Sequence, residues 1–146
     1  MIFKSILAPV DGSAPSNAAA ALAVSLAKQD GASLVFCHVE HVPRPSHDAG
    51  GFAREEIIEE ETRTAHDILD AAKKLAAGAG IQAKTVRLAD PIVEAILEAA
   101  KDNGSDIIVM GTHGRTGIVR AVLGSKTADV IARSPLPVLV APHVSA

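Results

Sequence analysis

Short apolar runs and longer amphipathic stretches alternate along the chain. IFKSILAPV (2–10) and SLVFCHVE (33–40) are brief, apolar or β-branched, and bounded by Asp-Gly or Gly-Ala signals, so both read as strands. Between them the pattern predicts a helix capped by Ser13, with Pro15 just inside its start and Gly31 closing it. Over 53–77, Ile57, Ile58, Ala65, Ile68, Leu69, Ala72 and Leu75 recur at helical spacing, with the acidic run EEIIEEE early and KK late. IQAKTVRL (81–88) alternates like a strand with one partly exposed face. Asp90 and Pro91 then start a helix with the stripe Ile92, Val93, Ile96, Leu97 and Ala100, ending at Gly104. DIIVMG (106–111) reads as a strand buried on both faces. A helix from Ser125 to Arg133 and a proline-flanked strand, LPVLVAP (136–142), complete the series. Only HVPRPSHDAGG (41–51) shows neither period, and it reads as a surface loop.

Strand and helix in strict alternation imply an α/β fold, a parallel sheet with helices on both faces and right-handed crossovers. The 146 residues make one domain, and with 48% apolar and 21% charged residues a disordered chain is excluded. The longest apolar run, AAAALAVSLA, is too short to span a bilayer, and Lys4 interrupts the N-terminal apolar stretch where a signal peptide would need continuity. A single cysteine, Cys37, forms no internal disulfide and fits a reducing cytoplasm, as a buried inert thiol. The net charge of −3, with three Phe and no Tyr or Trp, argues against binding a nucleic acid polymer. A single nucleotide remains possible, because an adenine can lie against aliphatic walls and backbone amides.

Two strand ends carry unusual chemistry. PVDGS (9–13) puts the Asp11 carboxylate at the tip of the first strand, and MGTHG (110–114) stands at the tip of the fourth. Ligands of open parallel sheets collect beyond such tips. Gly111 and Gly114 lack a Cβ, so a ligand can approach their backbone, and Gly124 and Ser125 come immediately before the next helix. That helix start offers unpaired N–H groups and a hydroxyl to a phosphate chain, with His113, Arg115, Arg120 and Lys126 as sources of positive charge. Neither the dinucleotide fingerprint nor the mononucleotide P-loop matches: the glycines at 111, 114 and 117 follow the wrong strand, and Ser125 separates Gly124 from Lys126. On spacing alone, a phosphate site and a plain glycine-rich turn both stand. Asp11 likewise reads as a turn former or as a ligand contact, and Ser125 as a helix cap, a phosphate contact or both. His38 and His41 fall on opposite faces of a strand, which argues against a zinc site.

With PVDGS after the first strand, HV in the second, Asp-Pro after the third and then G-x2-G-x9-G-S at Gly111, Gly114, Gly124 and Ser125, the chain resembles the universal stress proteins of the UspA superfamily over essentially its whole length. The glycine pattern is that of the ATP-binding branch. The resemblance implies a three-layer sandwich of the adenine nucleotide alpha-hydrolase-like type, its five-stranded parallel sheet ordered 3-2-1-4-5. It implies that Pro9, Val10 and Asp11 line the adenosine end, with Asp11 accepting from ribose or base, and that Val39 contacts adenine through its backbone. Met110 and Gly111 would form the floor, and Gly114, Gly124, Ser125, Lys126 and Thr127 would hold the phosphates, with Mg²⁺ carried by them. It further implies a homodimer through the last strand, Val138 to Ala141, and a nucleotide-dependent regulatory role in stress response with at most slow ATPase or phosphotransferase activity. A module binding another adenine metabolite, such as a cyclic nucleotide, is the alternative. Lys126 stands where the family commonly has a small apolar residue, and Ala89 where glycine is frequent.

Overall fold

The computed structural model describes residues 2–42, 51–113 and 123–142. Residues 43–50 of the expected loop, and Gly114, Arg115 and Arg120 of the glycine stretch, lie outside the described residues. In chain order the elements are β1 (Ser5–Pro9), α1 (Ala14–Asp30), β2 (Ser33–Glu40), α2 (Gly51–Gly78), β3 (Lys84–Ala89), α3 (Ile92–Asp102), β4 (Ile107–Gly111), α4 (Ser125–Arg133) and β5 (Val138–Ala141). The strands form one five-stranded sheet, ordered β3-β2-β1-β4-β5, parallel at every pairing.

The period of two along each strand sorts side chains between two cores. Ile6, Ala8, Leu34 and Phe36 meet Ala19, Ala23, Leu69 and Ala72 of α1 and α2 on one face. Leu7, Val35, Cys37, Val39, Ile108 and Met110 meet Val93, Ile96, Ala99 and Val130 of α3 and α4 on the other. The result is a three-layer α/β sandwich, with β4 buried throughout as its apolar run demands. Among the described residues, no helix is long and apolar enough to cross a membrane.

Several element ends fall elsewhere than the apolar pattern places them, for identifiable reasons. β1 begins at Ser5; ahead of it the amides of Phe3 and Lys4 donate to the carboxylates of Asp30 and Asp106, and Ile2 is 81% exposed. β3 begins at Lys84 because Gly80 and Ile81 still donate to Ala77 and Ala76 at the end of α2. Pro91, not Asp90, stands at the α3 cap; the Asp90 carboxylate instead pairs with His41 Nδ1 at 2.8 Å. In α2 the buried stripe is Ala65, Leu69, Ala72 and Ala76. Ile57 and Leu75 sit about 90° from the centre of that stripe at 100° per residue, and both are exposed.

Candidate functional site

β1 is the turning point of the sheet: α1 leaves its tip toward one face, and β4, its other neighbour, belongs to the half that continues to β5. The tips of β1, β2 and β4 therefore surround a crevice between oppositely directed connections. Each tip is fixed by local bonds. The Val10 amide donates to Cys37 O at 2.8 Å, and His38 Nδ1 donates to Val10 O at 2.8 Å. The Asp11 amide donates to Ser16 Oγ at 2.9 Å, while Asp11 Oδ1 accepts from the Ser13 amide at 2.9 Å and from Ser13 Oγ. This is an Asx turn, and Gly12 at φ 82° supplies the left-handed residue it requires. Ser13 in turn caps α1, as its sequence position predicts.

Across the crevice, α4 starts at the tip of β4. Gly124 is its cap residue and no side chain caps it, so Ser125 is the first helical residue and not the cap expected. Two bonds tie this start to β4: Gly124 N to Thr112 O at 2.6 Å and Thr127 Oγ1 to Gly111 O at 2.9 Å. The amides of the first turn have no intrahelical partner and carry the positive end of the helix dipole.

Two of the glycines meet a second requirement in the structure. A Cβ on Gly111 would lie 2.7 Å from Pro15 O, and one on Gly124 would lie 2.7 Å from His113 Cβ. Their missing side chains make room for the protein's own chain, first for the start of α1 and then for the end of β4.

The tips and helix starts enclose a cavity of about 560 Å³. Pro9, Val10, Asp11, Val39, Met110, Gly111, His113, Gly124, Ser125, Lys126 and Thr127 all line it. Gly114 and Arg115 are the two remaining candidates and lie outside the described residues. The cavity also takes in Ser16, Cys37, His38, His41, Glu61, Ile92 and Ile96, none of them selected from the sequence. Ile92 and Ile96 carry the signal of a buried helix stripe, which is indistinguishable in sequence from the wall of a pocket. Glu61 comes from the middle of a long amphipathic helix and gives no local signal at all.

The walls are chemically divided. Pro9, Cys37, Val39, Ile92, Ile96 and Met110 make an apolar end under β2 and α3, and Gly124 to Thr127 make a polar end at α4. Burial pushes the Cys37 thiol up to about 12, so it is an uncharged part of the apolar wall. Lys126 is exposed at the polar end and His113 is half-buried beside it. His38 and His41 part company: His38 is buried against Val10, and His41 is at the surface against Asp90. A shallower depression of about 430 Å³ lies along α2 alone, lined by Ile58, Glu59, Thr62, Arg63 and His66, and gathers no second element.

Residues 2–142 match the universal stress protein family. The universal stress protein MJ0531 of Methanocaldococcus jannaschii is 36% identical over 142 residues, spanning 95% of this chain and 82% of that protein. The solved structure of universal stress protein UspA from Lactobacillus plantarum superposes with a TM-score of 0.85 at 27% identity, covering 95% of this chain and 97% of that one. A universal stress protein crystallised in complex with cAMP superposes at 0.75 with 26% identity, covering 99% and 100% of the two chains. On sequence and fold together, the chain belongs to the universal stress protein family.

Proposed function

We propose that the chain binds ATP and acts as a nucleotide-dependent regulator in stress response. One observation carries the reading: a single cavity joins an aliphatic end to the uncapped start of α4. The apolar walls suit an adenine without needing an aromatic partner, and the α4 amides with Lys126 suit a phosphate chain. The residues present thus fit the nucleotide, and Mg²⁺ would come with its phosphates. The reading assigns no catalytic residue and no metal ligand; slow ATPase or phosphotransferase activity is its enzymatic variant. The single buried thiol supports a cytoplasmic setting. Calorimetric titration with ATP and Mg²⁺, AMP and cAMP tests the proposal. ATP should bind, and Lys126→Glu should weaken ATP more than cAMP, which carries less phosphate charge. Wild-type protein silent toward all three overturns it.

A cyclic nucleotide is the second reading, favoured by the cAMP complex of a relative with the same fold. cAMP binding more tightly than ATP in the same titration selects it.

The regulator is proposed to be a homodimer through β5. Among the described residues β5 pairs only with β4, and Leu139 on it is exposed. An unpaired, partly apolar edge is a ready site for a second strand. Leu139→Arg should turn a dimer into a monomer in analytical ultracentrifugation. A wild-type protein that sediments as a monomer contradicts the assembly.

A further inference from the structure

His38 is 2% exposed and, among the described residues, makes one polar bond, from Nδ1 to the carbonyl oxygen of Val10. A carbonyl only accepts, so Nδ1 carries a proton and is the donor. Nε2 is buried and, among the described residues, has no hydrogen-bond partner. Packing alone gives no reason for a histidine here, since an aliphatic side chain would fill the space without burying an unsatisfied nitrogen. What an aliphatic side chain would not do is hold Val10.

The bond to Val10 fixes a particular peptide. Its carbonyl oxygen is held by His38, and its nitrogen, the Asp11 amide, is held by Ser16 Oγ. Val10 is also held one bond earlier, through its own amide and Cys37 O. The plane of the Val10–Asp11 peptide sets the direction in which the Asx turn and the Asp11 carboxylate leave β1. Val10, Asp11, Ser16 and His38 all line the same cavity.

We infer that His38 is a positioning residue, which orients the Val10–Asp11 peptide at the mouth of the cavity and acts on the ligand only through it. The ligand arm of the inference rests on the nucleotide reading; the backbone arm does not.

The test compares His38→Leu, which removes the donor, with His38→Asn, whose amide N–H replaces Nδ1–H at a similar reach. Val24→Ala, in the α1 core away from the cavity, controls for lost stability. Amide hydrogen exchange at Asp11 and Ser13 and calorimetric ATP affinity are measured under conditions where each variant is folded. The leucine variant should exchange about tenfold faster at those amides and bind ATP about tenfold more weakly, while the asparagine variant stays within about threefold of wild type on both. Val24→Ala should lower the melting temperature without moving either readout. If the leucine variant does not fold, His38→Gln takes its place with the same expectations, since its amide extends to the Nε2 position instead. Leucine and asparagine variants impaired alike, a leucine variant indistinguishable from wild type, or a Val24→Ala variant that reproduces its effects each overturn the inference. If wild type binds no nucleotide, the nucleotide reading falls and the exchange comparison alone decides the role of His38.

Discussion

A methyl group on Gly111 would sit 2.7 Å from Pro15 O and 2.8 Å from Pro15 C, well inside contact distance. The obstacle is backbone in the first turn of α1, so no rotamer change relieves it. Gly124 presents the same situation against His113, whose Cα is 2.9 Å from the hypothetical Cβ. The glycine requirement at these positions is therefore present before any ligand arrives. We expect Gly111→Ala to destabilise the fold by roughly 1–3 kcal/mol, the usual cost of overpacking, which lowers the melting temperature by several degrees. Thermal denaturation of the unliganded protein checks this. An alanine variant as stable as wild type would mean that the space at Gly111 serves only a ligand. The sequence identifies these glycines by spacing but cannot reveal what each one faces, because Pro15 is far from Gly111 along the chain and meets it only through the β1–β4 pairing.

At the level of elements, the central strands are legible because they are continuous apolar runs, and their order follows from the resemblance. The edge is less so. β3 has no fully buried residue, and much of its attachment is polar: Arg87 donates to both carboxylate oxygens of Glu40 on β2 at 2.8 Å and reaches Thr62 of α2. No hydrophobic period announces such a tie, so residues 81–83 read as strand while the pairing starts later. The hydrogen bond from Arg87, reinforced by its charge, holds the Glu40 carboxyl below its ordinary value, against the opposing effect of burial. A depressed carboxyl pKa stabilises the fold fully above the unfolded value, about 4.3, and the gain disappears as pH falls through the lower folded value. Arg87→Met should therefore melt below wild type at neutral pH, and the gap should narrow as pH falls below about 4. A gap of constant size from about pH 7 to pH 3 would show that the pair contributes nothing through its charge. The cavity walls follow the same rule of legibility. Its β-strand tips stand out as Asp-Gly and Gly-rich breaks, whereas Ile92, Ile96 and Glu61 look like ordinary helix positions.

For the molecule as a whole, the cavity matters because it draws on both helical layers. Ser16 and Glu61 come from α1 and α2, and Ile92, Ile96 and the start of α4 come from the opposite face. The sheet joins these layers only from within; a ligand lying across the strand tips would join them at the edge as well. Such a ligand binds the folded chain and has no comparable site on the unfolded one, so binding must appear as stability. At a concentration 100 times its dissociation constant, ATP should add about 2.7 kcal/mol. For a domain of this size that corresponds to a rise of roughly 5–10 °C in melting temperature. The rise should continue with the logarithm of ATP concentration and should be equal when followed by far-ultraviolet circular dichroism, which reports all the helices, and by exposure of Cys37, which reports the centre of the sheet. A melting temperature unchanged through millimolar ATP would contradict tight binding. A rise seen by one probe alone would mean that the two layers come apart before the site is lost, which a ligand bridging both of them does not permit.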